Sequence, residues 1–257
     1  MKTIAAALSL AAVPIVLACP TSSKTTTVVP ISAASATTDV SISATSATTD
    51  VSISAASDST AVTGTSTFYG GNLNGGTCSF STYTLPSGIY GTAYSGSSWN
   101  SAANCGACIE VTANGKSIVA MIVDECPECD AGHLDLFENA FDVLSPSSSD
   151  PLATSYTFVD CGIASPLVLH NKSGTSAYWF SMQVVNSNEP IAKLDVSIDG
   201  GKTWSATTRQ DYNFFENPSG FGTSTVDVRL TSQSGSTITV NSVSIASDSQ
   251  VTASSNF

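Results

Sequence analysis

The 257-residue sequence predicts a mostly β protein with two globular domains behind an N-terminal extension. From residue 64 onward, short apolar segments alternate with turn signals, and several segments alternate apolar with polar residues as half-buried strands do. Only Leu136 to Leu144 has its apolar side chains at helical spacing. We therefore expect a barrel-like unit over residues 64–163 and a small β-sandwich over residues 166–246.

The extension contains two segments that are not expected to fold. Residues 1–18 combine Lys2, an apolar stretch and a final small residue, which is typical of a secretory signal peptide. Residues 19–63 are rich in Ser and Thr, and residues 35–44 recur as 46–55, which predicts a disordered, O-glycosylated stalk. Cys19 would lead the mature chain, and a lipid anchor on it is a minor alternative.

The charge balance restricts the partners. The formal net charge is -12, with 8 Lys and Arg against 20 Asp and Glu. Nucleic acids are excluded because phosphate neutralisation needs clustered basic residues, and acidic polysaccharides are poor targets for the same reason. No later apolar stretch reaches the length of a membrane span. We expect an exported monomer whose partner is a neutral polysaccharide.

The first domain has a clear hairpin signal. The strands Ala107 to Ala113 and Lys116 to Val123 flank Asn114-Gly115, the dipeptide most typical of a two-residue hairpin turn. The predicted helix follows, and Ser155 to Cys161 reads as the closing strand.

The second domain shows clean strand alternation with no helical segment. Gly200-Gly201 and Ser234-Gly235 mark two hairpins, and residues 247–257 are expected to form a flexible tail. The alternating apolar positions are Leu194, Val196, Ile198, Val226, Val228, Leu230, Ile238 and Val240.

Six of the seven cysteines fall in the first domain, and an exported protein usually pairs them. The two Cys-x-x-Cys pairs also have zinc-ribbon spacing, which is the rival interpretation. The sequence alone leaves the connectivity open. The six residues are Cys78, Cys105, Cys108, Cys126, Cys129 and Cys161.

Two carboxylates are the candidate reactive groups of the first domain. Asp124 follows an apolar strand, and Asp135 lies eleven positions later, just before the predicted helix. A pair of this kind could act as general acid and base on a glycosidic bond if the carboxyl groups are about 6.5–9.5 Å apart. The ordinary alternatives are a turn residue for Asp124 and a helix N-cap for Asp135. His133 alone adds little.

The second domain carries candidate sugar-stacking aromatics in a predicted strand over residues 176–184. Alternation assigns Tyr178 to the core face and Trp179 to the exposed face, so Tyr178 reaches the surface only if the strand begins irregularly. Tyr212 lies between polar residues, and Trp204 is an unassigned alternative. Flat aromatic rings stack on the apolar faces of pyranoses.

A glycosylation sequon, Asn171-Lys172-Ser173, lies near the predicted domain junction. A glycan on Asn171 would border the aromatic surface. Lys172 is included among the predicted polysaccharide contacts.

The chain resembles the expansin family. His133-Leu134-Asp135 resembles the expansin His-Phe-Asp signature, Gly64 to Gly70 resembles the first barrel strand of microbial expansins, and Val123-Asp124 resembles the strand of the groove aspartate. The resemblance implies a six-stranded double-psi β-barrel followed by an immunoglobulin-like carbohydrate-binding sandwich. It also implies that Thr67, Asp124 and Asp135 line the polysaccharide groove, with Asp135 required for wall loosening.

The resemblance has implications for the cysteines and the second domain as well. It implies the disulfides Cys78–Cys105 and Cys108–Cys161, which leaves Cys126 and Cys129 to pair. Microbial expansins often have a tyrosine where this chain has Cys126. In the second domain the resemblance implies three stacking aromatics, which are Tyr178, Trp179 and Tyr212.

Endoglucanases on the same barrel carry an additional aspartate in the first strand, whereas Thr65 to Gly70 contains no carboxylate. We therefore expect a secreted protein that binds cellulose or a related cell-wall glucan and loosens it without hydrolysis, cofactor or metal. One alternative is a weak endoglucanase or lytic transglycosylase with Asp135 as general acid. Another is a protease inhibitor or effector, although the aromatic second domain argues against it.

Overall fold

The computed structural model describes residues 60–147 and 150–257. The predicted signal peptide, Cys19 and nearly all of the predicted stalk lie outside these residues. No helix in the described part of the chain is long and apolar enough to cross a membrane.

The first domain is a closed barrel of six strands, which confirms the predicted mostly β class. Among the described residues of the domain there are also a 3-10 turn at Gly96–Ser98 and one helix, α1 (Glu138–Leu144). The strands are β1 (Val62–Tyr69), β2 (Ile89–Ser95), β3 (Cys108–Ala113), β4 (Lys116–Cys126), β5 (Leu134–Phe137) and β6 (Leu152–Val159). Their order around the barrel is β1-β5-β2-β4-β3-β6.

The predicted hairpin joins β3 to β4. Asn114 and Gly115 both have positive φ, 51° and 71°, which asparagine and glycine tolerate better than other residues. The turn fixes the pairing of Ala113 with Lys116 and carries the register along the two strands. Ile109 and Val111 consequently point into the barrel core and are fully buried.

The predicted helix begins later than expected. Residues 134–137 form β5, which pairs in parallel with β1 and antiparallel with β2. Leu134 and Leu136 alternate into the core, so Leu136, which was assigned to the apolar face of the helix, satisfies a strand instead. Asp135 therefore lies within a strand, and the helix N-cap is Phe137, so the N-cap interpretation of Asp135 was wrong.

The second domain consists of two sheets that enclose one apolar core. The four-stranded sheet has the order β10-β9-β13-β14, and the five-stranded sheet has the order β11-β12-β8-β7-β15. The strands are β7 (Val168–Asn171), β8 (Phe180–Val185), β9 (Ile191–Ser197), β10 (Ser205–Ala206), β11 (Thr208–Arg209), β12 (Phe215–Asn217), β13 (Thr225–Ser232), β14 (Thr237–Ser244) and β15 (Gln250–Thr252).

Most of the predicted alternation appears in this core. Leu194, Val228 and Leu230 are buried, whereas Ile198 lies beyond the end of β9 and is 63% exposed. Ile198 was therefore wrongly assigned to the alternating strand, because β9 ends one residue before it.

The predicted flexible tail is incorrect for residues 250–252. These residues form β15, which pairs with β7 along an edge of the five-stranded sheet. Ala253 is buried, and Val251 and Phe257 pack against the sandwich core. A short strand of this kind is held by backbone pairing, so its sequence has no residue pattern that predicts it.

The outer face of β8 is also not exposed as predicted. Gln183 is fully buried, and its Nε2 donates a hydrogen bond to the Cys78 carbonyl of the first domain at 2.8 Å. A second contact across the junction joins the Trp99 indole N–H to the Asp211 carbonyl at 3.3 Å. The strand alternates correctly, but the first domain covers part of the face that the sequence assigned to solvent.

Candidate functional site

Four neighbouring strands align the groove residues in one row. Thr67 on β1 pairs with Asp135 on β5, and Ala93 on β2 pairs both with Asp135 and with Asp124 on β4. The two aspartates are thus separated by one strand, which corresponds to about 9–10 Å between their backbones. Ala93, the residue between them, is small and buried.

A β-bulge in β4 sets the direction of Asp124. Thr92 pairs with Ile122 and Ala93 pairs with Asp124, so Val123 is the additional residue. Without the bulge, Val123 would face Ala93 and Asp124 would point to the opposite side of the sheet. Sequence alternation alone does not predict this reorientation.

Asp135 is held by a chain of hydrogen bonds. The Thr67 hydroxyl donates to Asp135 Oδ1 at 2.6 Å and also contacts His133 Nε2 at 3.0 Å. Because a hydroxyl has only one proton, the Nε2–H of His133 must donate to Thr67. The other ring nitrogen, Nδ1, then accepts from the Thr65 hydroxyl at 3.1 Å when the ring is neutral.

Asp124 accepts hydrogen bonds at both carboxylate oxygens. Oδ1 accepts from the backbone N–H groups of Thr77 at 2.7 Å and Glu125 at 2.9 Å, and Oδ2 accepts from the Tyr69 hydroxyl at 3.2 Å. Burial, and next the nearby Asp124 carboxylate, raise the pKa of Tyr69 far above its ordinary value. Tyr69 therefore remains a proton donor, which fixes the Asp124 side chain.

Aromatic rings extend the site beside the carboxylates. The rings of Tyr69 and Phe137 lie edge to face with 5.6 Å between their centroids. A Cβ on Gly91 would lie 2.4 Å from the Phe137 ring, and one on Gly71 would lie 2.3 Å from the Tyr69 ring, so both glycines make room. Sequence reasoning missed Tyr69 and Phe137 as site residues, and their only signal is the spacing of two from Thr67 and Asp135. It noted His133 in the His-Leu-Asp motif but gave it no role.

Three disulfides brace the first domain. They join Cys78 to Cys105, Cys108 to Cys161 and Cys126 to Cys129. The first two are the pairs that the family resemblance implied. In the described residues 60–147 and 150–257, no group of three or more His, Cys, Asp or Glu side chains is arranged to hold a metal ion.

The third disulfide shapes the loop that follows Asp124. It closes the turn Cys126-Pro127-Glu128-Cys129, and the Ser95 hydroxyl donates to the Cys129 carbonyl at 2.9 Å. The tyrosine that microbial expansins often have at position 126 is thus replaced by a crosslinked turn.

The aromatic residues of the second domain differ from the predicted assignment. Strand β8 begins only at Phe180, so the preceding residues do not follow its alternation. Tyr178 is 82% exposed, although a regular strand would place it in the core. Trp179, predicted to be exposed, is half-buried and forms an isolated bridge with Ser176. The irregular start that would bring Tyr178 to the surface is therefore present.

Tyr212 and Lys172, the other predicted sugar contacts of this domain, lie against each other. Lys172 Nζ lies 5.2 Å from the centre of the Tyr212 ring and 4.9 Å from that of Phe214, which is cation–π geometry. The Tyr212 hydroxyl donates to Glu216 Oε1 at 2.7 Å. Burial, and next this carboxylate, raise the pKa of Tyr212 to about 12, so its ring stays neutral and fixed in position.

Two other residues named from the sequence do not contact these aromatics. Asn171 is 1% exposed, and its Nδ2 donates to the Ser244 carbonyl and the Ser249 hydroxyl. The glycan on Asn171 stays a prediction. Trp204 stacks beneath Arg229, whose guanidinium lies 4.5 Å from the ring centre, next to the four-stranded sheet.

Comparisons with known proteins give a consistent result. No protein-family model matches the chain. Expansin-like protein 1 of Dictyostelium discoideum is 30% identical over 206 residues, which cover 76% of this chain and 72% of that protein.

Two solved structures are similar over the same extent. The expansin of Clavibacter michiganensis is 27% identical with a TM-score of 0.69, covering 76% of this chain and 97% of that one. A mutant of that expansin in complex with cellohexaose is 26% identical with a TM-score of 0.69 and the same coverage.

Proposed function

The chain belongs to the expansin-like proteins, and from that premise we propose that it binds cellulose or a related cell-wall glucan and loosens it without hydrolysis. The solved relative in complex with cellohexaose supports a neutral β-glucan as the ligand. The observation that carries the proposal is the row of Thr67, Asp135 and Asp124 across adjacent strands.

The proposed mechanism is noncovalent. Asp135 keeps one carboxylate oxygen, Oδ2, with no hydrogen bond found in the described structure, while Oδ1 accepts from Thr67. Oδ2 can accept hydrogen bonds from glucan hydroxyls, and charge-assisted bonds of this kind are about twice as strong as neutral ones. A chain bound in this way exchanges its hydrogen bonds to neighbouring chains for bonds to the protein.

The second domain would anchor the protein on the polymer. Tyr178 and Tyr212 expose aromatic surface on which pyranose rings can stack, with Trp179 and Lys172 beside them. The second domain would then anchor the protein and the first would loosen the polymer, because the aromatics and the carboxylates belong to different domains.

Two features support a non-hydrolytic action. Thr65 to Gly70 contains no carboxylate, so β1 offers no base. Asp124 could replace that base, but both of its oxygens already accept hydrogen bonds from the protein. These three bonds leave about one of the four lone-pair positions of the carboxylate for a water molecule that needs activation.

The second candidate is a weak endoglucanase or lytic transglycosylase with Asp135 as general acid. It is favoured by the separation of Asp124 and Asp135, since about 9–10 Å between backbones is compatible with the carboxyl spacing of inverting enzymes.

Wall-strip creep and release of reducing ends distinguish the two candidates. We expect the wild-type protein to accelerate creep without releasing sugar above the buffer level. Asp135→Asn keeps an oxygen for the Thr67 hydroxyl, so we expect it to fold and bind cellulose but to lose creep activity. Sustained sugar release that disappears in Asp135→Asn would contradict the proposal and favour the hydrolase.

Export is part of the same proposal. Three disulfides within the described residues are typical of an oxidising compartment, and the predicted signal peptide agrees with this.

A further inference from the structure

A polar cleft at the junction of the two domains has, apart from Lys172 at its edge, no role in the function proposed above. It has a volume of about 410 Å³ and is lined by Gly76 and Ser81 of the first domain and by His170, Lys172 and Asp248 of the second. This volume lies within the range of about 300–1,000 Å³ that small-molecule sites occupy.

The cleft lies between the groove residues of the first domain and the aromatic residues of the second domain. On one side, a Cβ on Gly76 would be 3.4 Å from Asp124 Cγ, so the cleft begins next to the row of groove residues. On the other side, Lys172 lines the cleft and also covers the ring of Tyr212. A glucan that contacts both Asp124 and Tyr212 must therefore pass over the opening.

The cleft is deeper than the aromatic surface beside it. Gly76, His170 and Phe214 contribute to its lining and are buried, whereas Tyr212 is 36% exposed. A backbone that rests on the exposed aromatics cannot also reach these buried groups. Only a substituent that branches from the backbone can enter.

The lining matches a neutral polyhydroxylated group. Ser81, Thr82 and Ser173 present hydroxyls, and Lys172 and Asp248 carry opposite charges. His170 contacts the Thr82 hydroxyl at 3.4 Å through Nδ1, and burial lowers its pKa, so it adds no charge at neutral pH. A phosphate or a uronate would gain from Lys172 but would meet the carboxylate of Asp248.

We propose that this cleft binds a single neutral side-chain sugar of a substituted glucan whose backbone lies across Asp124 and Tyr212. The inference rests on the proposed function and refines its substrate class: a branched cell-wall glucan is preferred to a linear one. The hydroxyls of Ser81 and Thr82, together with Lys172, would supply the hydrogen bonds.

The test compares two oligosaccharides with the same backbone by calorimetric titration of the full chain. One is cellohexaose, and the other is a cellohexaose backbone that carries single xylose side chains. We expect the substituted ligand to bind about tenfold more tightly, as one or two additional hydrogen bonds would provide. Equal Kd values would overturn the inference and leave the proposed function intact, whereas failure of both ligands to bind would overturn the proposed function and the inference with it.

A variant then locates the preference. Ser81→Trp places a large ring in the cleft at an exposed position, and Ser87→Trp, at an exposed position outside the cleft, is the matched control. We expect Ser81→Trp to bind both ligands with the Kd of cellohexaose and Ser87→Trp to retain the tenfold preference. A preference that survives Ser81→Trp would mean that the side chain binds elsewhere and would overturn the inference.

Discussion

At the scale of single residues, the orientation of Asp135 depends on His133 through Thr67. The Thr67 hydroxyl donates its only proton to Asp135, so any second hydrogen bond that fixes this hydroxyl must come from a donor to its oxygen. His133 supplies that donor and is itself held by Thr65. His133 is therefore a positioning residue for the groove and need not touch the glucan.

This arrangement predicts the tautomer of His133. At a pH where the ring is neutral, we expect the proton on Nε2 and not on Nδ1, and ¹⁵N chemical shifts of the ring nitrogens measure this directly. Thr67→Val removes the acceptor while keeping the shape of the side chain, and the tautomers should then become mixed. A predominant Nδ1–H form in the wild type would contradict the hydrogen-bond chain.

A second prediction concerns the exposed aromatics. Tyr178→Ala should weaken cellulose binding about ten- to a hundredfold, the range suggested by ~1–3 kcal/mol for stacking of a nucleic-acid base on an aromatic ring, a loose analogue. Its melting temperature should not change, because the side chain is 82% exposed. Trp179→Ala should lose both binding and some stability, since Trp179 is half-buried and packs near Gly174.

Phe180→Ala is the control for this pair. Phe180 is fully buried in the sandwich core, so its loss should cost about 3–5 kcal/mol of folding free energy. Pull-down on cellulose and thermal melting of the three variants distinguish a stacking surface from core packing. Unchanged binding by Tyr178→Ala would show that the aromatic surface has been assigned to the wrong residue.

At the scale of elements, the last strand stabilises the second domain. Strand β15 covers an edge of the five-stranded sheet, and Val251, Ala253 and Phe257 pack on the core. Burying one large apolar side chain is worth about 1.5–3 kcal/mol. Deletion of residues 247–257 should therefore lower the free energy of unfolding by about 3 kcal/mol or more, measured by urea denaturation.

Deletion of the last residue alone is the milder comparison. It removes the Phe257 contact and keeps β15, so the loss should be a fraction of that caused by the longer deletion. If the two deletions are equally harmless, residues 247–257 form a tail as the sequence predicted.

The elements also show what the sequence can predict. The Asn114-Gly115 hairpin and the alternation of β13 depend on local preferences, so both were predicted correctly. The end of strand β5 was predicted as the start of a helix because Leu136 fits either period, and only pairing with β1 and β2 decides between them. The bulge at Val123 depends on register between strands, which is not visible in one strand's sequence.

The candidate site also contains some features that the sequence predicted and others that it did not. Asp124 and Asp135 were candidates from their positions in the sequence and Thr67 from the family resemblance, and the structure places them in one row. The exposure of Tyr178 depends on where β8 begins, and the burial of Gln183 depends on the other domain. Neither is encoded in local alternation.

At the scale of the whole molecule, the described residues of the two domains are joined by specific polar contacts. Gln183 and Asn213 both donate to the Cys78 carbonyl, at 2.8 and 3.3 Å, and Cys78 is crosslinked to Cys105. The contact thus connects the five-stranded sheet to the disulfide-braced part of the barrel. Such a junction keeps the groove and the aromatic surface in a fixed relation on one glucan chain.

The last prediction is that barrel and sandwich unfold together. Calorimetry should give a single transition, and Gln183→Met should lower its midpoint, because the buried Cys78 carbonyl loses a donor worth about 0.5–1.5 kcal/mol. Gln250→Met, at an exposed position, is the control and should leave the midpoint unchanged. Native-state hydrogen exchange at Ile109 in the barrel and Leu230 in the sandwich should report equal destabilisation by Gln183→Met, since both amides then open in the same global event. If only Leu230 responds, or if two transitions are resolved, the domains are independent, and the relative position of groove and aromatic surface is set by the bound polysaccharide.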